Sequence, residues 1–218
     1  MALLWIVMGA VFDFFDGMVA RLLNVSSPIG KELDSLADDV TFGVAPATII
    51  FSELYVMEYP AMLENMSICG LGTRQLLPYV AVGMAAFSAL RLAKFNLDTR
   101  QTTSFIGLPT PANALFWSSL IVGAGRWIEQ SAMMLPVMLF MICVSCWLLV
   151  AEIPMFALKF KQWGWKGNEV KYVFLISCIP LLLFFKVTAF AVIIAWYVVL
   201  SVLLWLRSSK TDGASAIG

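Results

Sequence analysis

The chain has 218 residues, of which 61% are hydrophobic and only 13% are charged. Because soluble globular domains carry about 25% charged residues, this composition excludes a water-soluble fold. The formal net charge is zero and the sequence contains no histidine. We therefore expect no nucleic-acid partner, and histidine-based catalysis and histidine zinc ligands are excluded.

Seven apolar segments follow one another along the chain and predict an all-α fold, a polytopic bundle of transmembrane helices. The runs 133–150 and 187–206 contain no charged residue, and each is about long enough to cross a hydrocarbon core of ~30 Å. No repeat or linker interrupts the pattern, so we expect one membrane domain over residues 1–210 and a short polar tail over 211–218. The predicted segments are 2–23, 34–57, 75–95, 108–126, 131–151, 172–185 and 187–206.

The distribution of basic residues predicts the orientation of the chain. If the first segment ends in the cytoplasm, eleven basic residues face inward and three face outward, which is the bias that membrane proteins show. We therefore expect an integral protein of the cytoplasmic membrane with its 24–31 turn in the cytoplasm. The inward set is Arg21, Lys31, Arg91, Lys94, Arg100, Lys159, Lys161, Lys166, Lys171, Arg207 and Lys210, and the outward set is Arg74, Arg126 and Lys186.

Six of the fourteen acidic residues lie between positions 13 and 39. Carboxylates are costly in membrane segments and usually mark a functional site there. With about 100° of rotation per helical residue, Asp13 and Asp16 share one face of the first helix. Asp34 and Asp38 share one face of the next. Two helices joined by a short turn would present these four carboxylates to each other.

Four facing carboxylates repel one another strongly where the dielectric constant is low, so the cluster predicts a divalent metal site. Hard oxygen ligands suit Mg²⁺, Mn²⁺ or Ca²⁺. The small residues Gly17, Ala20 and Gly30 lie beside the carboxylates and leave room for a diphosphate ligand. Three alternatives stay open: a polar cluster that only joins helices, a divalent-cation transporter, and a catalytically silent scaffold.

The same residues form a known signature. The pattern Asp13-x-x-Asp16-Gly17-x-x-Ala20-Arg21, then eight residues, Gly30, three residues, Asp34, three residues and Asp38, resembles the CDP-alcohol phosphotransferase motif at all eight defined positions. The resemblance implies a helical membrane enzyme that uses two divalent ions, Mg²⁺ or Mn²⁺. It implies metal ligation by Asp13, Asp16 and Asp34, and a general-base role for Asp38, which can share the second metal. The CDP site that it implies consists of Asp13, Asp16, Gly17, Ala20, Arg21, Gly30 and Asp34.

Three further segments bear on the alcohol acceptor. Residues 42–47, 91–96 and 107–112 resemble segments of the integral-membrane phosphatidylserine synthases within that family. The resemblance implies transfer of a phosphatidyl group from CDP-diacylglycerol to the hydroxyl of serine, in contact with membrane lipids. Phosphatidylglycerophosphate synthase or another enzyme of the family stays open as the alternative, and a homodimer is left open. The candidate acceptor or phosphate ligands are Arg91, Lys94 and Asn96, which also fit ordinary positive-inside charge.

Met1 stands only twelve residues before Asp13, whereas family members usually carry another apolar helix ahead of the first aspartates. We therefore expect that a native upstream helix is missing from this sequence, and that an open apolar groove lies beside residues 2–20.

Asp39 belongs to no motif position and is interpreted as interface solvation or a helix cap. Cys143 and Cys146 are interpreted as small packing residues, because they lie inside an apolar run.

Overall fold

The computed structural model describes residues 1–25, 27–68, 70–97, 105–156, 164–165 and 168–215. Within these residues the chain forms seven helical segments and two short two-stranded pairings. The predicted all-α bundle of membrane helices is therefore confirmed. Four of the basic residues that predicted the orientation, Arg100, Lys159, Lys161 and Lys166, lie outside the described residues, as does the side chain of Lys210.

The seven segments correspond one to one to the predicted apolar segments. The first two consist of α1 (Ala2–Leu22), then α2 (Pro28–Asp38), a π-helical turn (Asp39–Val44) and α3 (Ala45–Val56). After the short α4 (Ala61–Glu64), the third consists of α5 (Thr73–Leu76), a 3₁₀ turn (Leu77–Tyr79) and α6 (Val80–Leu97). The others are α7 (Thr110–Glu129), α8 (Met134–Val150), α9 (Glu169–Phe185) and, after a 3₁₀ turn (Lys186–Thr188), α10 (Ala189–Ser215). The strand pairs are β1 (Ser67–Ile68) with β2 (Leu71–Gly72) and β3 (Phe105–Ile106) with β4 (Pro154–Met155).

Two boundaries differ clearly from the prediction, since α2 begins at Pro28 rather than 34 and α10 ends at Ser215 rather than 206. The early start of α2 has a local cause. Oγ of Ser27 accepts a hydrogen bond from the Gly30 amide at 3.0 Å, and Pro28 occupies the first helical turn, where its missing N–H is no loss. Asn24 has a φ of 51°, a region that asparagine tolerates better than most residues. The chain reverses there, and α2 returns beside α1.

Four helical runs of the described chain are long and apolar enough to cross a membrane: Ala2–Leu22, Pro28–Val56, Thr73–Leu97 and Glu169–Arg207. The last of these is a hairpin rather than one straight helix. The chain turns at Lys186, whose φ is 50°, and Nε1 of Trp196 in α10 donates a hydrogen bond to Oγ of Ser177 in α9 at 3.1 Å. The chain is therefore an integral membrane protein with α9 and α10 packed antiparallel.

The main core lies between α3, α6, α7 and α8, where Leu54, Met84 and Trp117 are fully buried. Nε1 of Trp117 donates a hydrogen bond to Oγ of Ser145 at 3.0 Å, which ties α7 to α8. α6 packs on one side against α8 and on the other against the π-helical turn. The core therefore holds α6 firmly beside the end of α2.

Helix α1 lies at the edge of this bundle. Its only buried residue is Ile6, which packs against Phe42 of the π-helical turn and Ala114 of α7. An apolar groove of about 640 Å³ runs between α1 and α3, with Trp5, Phe12 and Ile49 among its lining residues. The groove expected beside residues 2–20 is thus present.

Candidate active site

The carboxylates of Asp13, Asp34 and Asp38 meet where α1 and α2 face each other. One oxygen from each of the three lies within 4.8 Å of the others. Asp13 stands on α1, and the other two stand four residues apart on α2, so that their side chains lie one above the other on one face. The turn at Asn24 brings these faces together, as the spacing of the aspartates predicted.

Asp16, the fourth predicted carboxylate, is not part of this group of three. It stands three residues after Asp13, about 4.5 Å further along the helix. There it lines a cavity of about 580 Å³ together with Asp34. The structure therefore divides the predicted cluster into a group of three carboxylates and a neighbouring cavity that Asp16 and Asp34 share.

The small residues of the motif line the same cavity. They are Gly17, Ala20 and Gly30. A Cβ atom at Gly17 would find its nearest neighbour, Nη2 of Arg21, at 3.9 Å, so protein packing does not demand glycine there. A Cβ atom at Gly30 would stand 2.9 Å from Oγ of Ser27, so this glycine is needed to cap α2. A larger residue at position 17 would therefore extend into the cavity without meeting a close neighbour.

Two basic residues behave differently at this cavity. Arg21, predicted to contact CDP, is not among its lining residues, and its Nε donates a hydrogen bond to the Gly17 carbonyl on the same helix at 2.8 Å. Lys31, which the motif leaves undefined, does line the cavity. Nζ of Lys31 donates to the carbonyl of Asn96 at 3.3 Å. Only its positive charge beside Gly30 could have drawn attention to Lys31 in the sequence.

The three predicted acceptor residues on α6 point to different places. Arg91 is 7% exposed and interacts electrostatically with Asp38, while its guanidinium lies over the ring of Phe95. Nδ2 of Asn96 donates to Oγ of Ser35 on α2 at 2.8 Å. Nζ of Lys94 contacts the carbonyl of Val150 at the end of α8, at 3.5 Å. Among the three, Arg91 is the buried one, and it has an electrostatic interaction with one of the carboxylates.

A comparison with known families identifies the family of the chain. The profile of the CDP-alcohol phosphatidyltransferase family matches residues 1–204. The chain belongs to this family. The matched residues include α1 and α2, which carry the three carboxylates and the cavity beside them.

Several curated relatives carry the name CDP-diacylglycerol–serine O-phosphatidyltransferase. The protein of that name from Bacillus subtilis (strain 168) is 42% identical over 113 residues, which cover 50% of this chain and 54% of the relative. The one from Saccharomyces cerevisiae is 39% identical over 117 residues, covering 49% and 36%. The one from Mycobacterium leprae is 33% identical over 170 residues, covering 71% and 48%. The chain spans about half the length of these relatives or less.

The acidic group has the donor chemistry of a divalent metal site in this family. All three donors are carboxylate oxygens within 4.8 Å, and hard Mg²⁺ or Mn²⁺ ions prefer such oxygens. Three carboxylates at this separation repel one another strongly at the low dielectric of a membrane protein, so a cation would relieve the repulsion. The residues present therefore fit a divalent ion.

Proposed function

We propose that this protein transfers the phosphatidyl group of CDP-diacylglycerol to the hydroxyl of L-serine, which gives phosphatidylserine and CMP. The observation that carries the proposal is the meeting of Asp13, Asp34 and Asp38 within 4.8 Å beside a cavity with Asp16 and Gly17 in its wall. The names of the relatives support serine as the acceptor.

In this proposal the cavity beside Gly17 receives the CDP diphosphate. Gly17, Ala20 and Gly30 let it lie close to the helix backbones, and Lys31 adds a positive charge at the rim. Asp13, Asp16 and Asp34, with Asp38 as a shared ligand, would hold two divalent ions. When bound, these ions supply the positive charge that neutralises the diphosphate and the departing CMP.

Asp38 acts as the general base in the proposed reaction. It takes the proton of the serine hydroxyl while the oxygen forms a bond to the phosphatidyl phosphorus. The bond from that phosphorus to the CMP oxygen breaks, and CMP leaves with the electron pair. A positioned general base contributes about 10²- to 10⁴-fold to such a rate. Asp38 lies at the junction of α2 and the π-helical turn, with a carboxylate oxygen within 4.8 Å of one from Asp13 on α1, which supports this role.

Arg91 is the residue best placed to bind the serine carboxylate. Arg91 is buried and interacts electrostatically with Asp38, so a serine carboxylate bound by Arg91 would bring the serine hydroxyl toward the base. Arginine matches the planar geometry of a carboxylate with two parallel hydrogen bonds. Asn96 and Lys94 support this region through their contacts to α2 and α8.

The positive-inside bias supports a cytoplasmic-membrane protein whose active site faces the cytoplasm. Serine and CMP are water-soluble and would enter and leave from that side. CDP-diacylglycerol would arrive from the lipid phase, and the apolar groove beside α1 offers it one route. The homodimer left open by the sequence stays a prediction.

The proposal is tested with purified protein in nanodiscs, CDP-diacylglycerol, Mg²⁺ or Mn²⁺, and a panel of acceptors that contains serine, glycerol 3-phosphate, inositol 3-phosphate and ethanolamine. We expect CMP release to depend on serine and the lipid product to be phosphatidylserine. Release that depends on glycerol 3-phosphate instead would make the protein a phosphatidylglycerophosphate synthase. Turnover with none of the acceptors would contradict the proposal.

A further inference from the structure

A further cavity, of about 210 Å³, lies between α7, α8 and α10. Its walls are apolar side chains of these three helices, with two polar side chains, Asn113 and Ser145, among them. α8 and α10 both pack on α7 and have little contact with each other in the described part of the chain. Two lining residues of α10, Ala195 and Val199, are exposed. The α7–α8–α10 cavity therefore opens between α8 and α10 toward the lipid phase.

The segment 107–112, which no step of the proposed reaction uses, shapes one end of this cavity. Gly107 has a φ of 74°, and a Cβ atom there would lie 3.0 Å from two carbonyl oxygens at the end of α8, so glycine is required. The amide of Leu108 donates a hydrogen bond to the Leu148 carbonyl at 2.9 Å. This bond fastens the chain just before α7 to the end of α8, and both leucines line the cavity.

The side-chain amide of Asn113 is the unusual feature of the wall. Asn113 is 1% exposed, and neither its Oδ1 nor its Nδ2 has a hydrogen-bond partner within the described chain. Buried polar atoms are rarely left unpaired, because they have lost their bonds to water without a replacement. Oγ of Ser145, the other polar side chain of the wall, already accepts a hydrogen bond from Nε1 of Trp117 at 3.0 Å. The amide therefore offers a free acceptor and free N–H donors side by side in an apolar cavity.

A group of water molecules does not suit this cavity, because a buried water needs about two to four polar partners. The complementary ligand is an apolar molecule that carries one donor and one acceptor close together. We propose that the α7–α8–α10 cavity binds the glycerol end of a diacylglycerol. The free hydroxyl of the lipid donates to Oδ1 of Asn113, and the neighbouring ester carbonyl accepts from Nδ2.

The size and polarity of the cavity agree with this ligand. A volume of about 210 Å³ holds about seven groups of the size of a water molecule, which is enough for the three glycerol carbons, the hydroxyl and one ester group. The acyl chains would leave between α8 and α10 into the membrane. A phospholipid carries a charged phosphate in place of the hydroxyl, so it offers no donor to Oδ1 of Asn113 and its charge would lose hydration in apolar surroundings. We therefore expect the site to select diacylglycerol over phospholipids.

The test measures the binding of dioctanoylglycerol to the purified protein in detergent by native mass spectrometry. The matched ligand is the methyl ether of the same lipid, which keeps both esters and both chains but has no hydroxyl donor. We expect saturable binding of one diacylglycerol per chain. The ether should bind at least about tenfold more weakly, because Oδ1 of Asn113 would stay unpaired. Dioctanoylphosphatidylcholine should also bind at least about tenfold more weakly, because of its charged phosphate.

Two variants change the cavity in different ways. Asn113→Leu should keep its thermal stability without ligand, because an apolar side chain of similar size removes the unpaired atoms, but its affinity for diacylglycerol should fall at least about tenfold. Ala195→Phe should lower the affinity as strongly, because it fills the exposed mouth of the cavity and leaves the amide intact. Ser118→Ala is the control and should bind like the wild type. Ser118 is buried on the same helix, bonds to the Ala114 carbonyl at 2.6 Å and does not line the cavity.

Each result decides for or against the diacylglycerol site. Equal affinity for the diacylglycerol and its ether, or for the diacylglycerol and phosphatidylcholine, would mean that the hydroxyl is not recognised, and it overturns the proposal. Wild-type affinity in Asn113→Leu overturns it as well, and Ala195→Phe decides in the same way if Asn113→Leu cannot be purified in folded form. If the wild type binds no diacylglycerol saturably, the proposal is wrong. The proposed function is tested separately, because this cavity shares no lining residue with the one beside Gly17.

Discussion

Nδ2 of Asn96 donates a hydrogen bond to Oγ of Ser35 at 2.8 Å, and so joins the end of α6 to α2 one residue after Asp34. The main-chain carbonyl of Asn96 accepts a second bond from Nζ of Lys31 at 3.3 Å. The core holds α6 against α8. These two contacts therefore fix α2, which carries two of the aspartates, to a well-packed helix.

We therefore predict that Asn96→Ala and Ser35→Ala each lower the free energy of unfolding by about 0.5–1.5 kcal/mol. The double variant should lose less than the sum of the two, because both changes remove the same bond. Thermal denaturation in detergent measures this. Asn65→Ala is a matched control, because the bond that the Asn65 amide makes within the described chain is to the Ala61 carbonyl of the short helix just before it; it should leave turnover unchanged. Strict additivity of the first two variants would show that the bond contributes nothing.

The free space at Gly17 leads to a second prediction. Gly17→Ala should preserve or raise thermal stability, because alanine is favoured over glycine inside a helix by about 0.5–1 kcal/mol and the new methyl group meets no close neighbour. It should nevertheless raise KM for CDP-diacylglycerol at least about tenfold, since the methyl group enters the cavity. Gly83→Ala in α6, also without a close neighbour, should be stabilised without a change in KM. Equal kinetics for the two variants would remove Gly17 from the substrate site.

The acidic group predicts dependence on a divalent ion. EDTA should abolish turnover, and Mg²⁺ or Mn²⁺ should restore it. Asp13→Asn and Asp34→Asn should each lose turnover by at least about 10³-fold, because each removes one of three facing carboxylates. Asp16→Asn should also lose turnover, since Asp16 lines the cavity with Asp34. Glu32→Gln, which neutralises an exposed carboxylate of α2, serves as the control. Full activity in the chelator would disprove metal dependence.

A substitution of Asp38 should weaken CDP-diacylglycerol binding less than a substitution of a metal ligand does. Asp38→Asn is expected to lose turnover by about 10²-fold or more, the usual scale for a general base, while CDP-diacylglycerol still binds. Asp34→Asn should lose both. Binding can be measured by equilibrium titration with a labelled CDP-lipid. If the two variants lose affinity equally, Asp38 is mainly a ligand and the base assignment is wrong.

The different surroundings of Arg91 and Lys94 predict different kinetics. Arg91→Gln should raise KM for serine at least about tenfold, because a buried guanidinium near Asp38 is lost. Arg91→Lys should not restore it, because lysine lacks the planar pair of donors. Lys94→Gln should be close to wild type, because its amine contacts only the Val150 carbonyl at 3.5 Å among described partners. Wild-type kinetics for Arg91→Gln would show that Arg91 does not bind serine and only contributes to the positive-inside charge.

Much of the fold could be predicted because most of the helices are apolar along their length, whereas the start of the polar helix α2 was missed. The facing of Asp13 with Asp34 and Asp38 also followed from helical periodicity and a short turn. Periodicity could not show that Asp16 stands apart, since that depends on how α2 leans against α1. It also could not reveal the different surroundings of Arg91 and Lys94, because Lys94 contacts Val150, a residue about 50 positions away along the chain.

The most direct test of the account is the incorporation of radiolabelled serine into lipid by the purified protein. We predict that label enters an organic-soluble product only when CDP-diacylglycerol and Mg²⁺ or Mn²⁺ are both present, with one CMP released for each serine incorporated. Asp13→Asn, prepared in parallel, should incorporate none. Label that stays in the aqueous phase while CMP is released from CDP-diacylglycerol, or incorporation that persists in Asp13→Asn, would contradict the account.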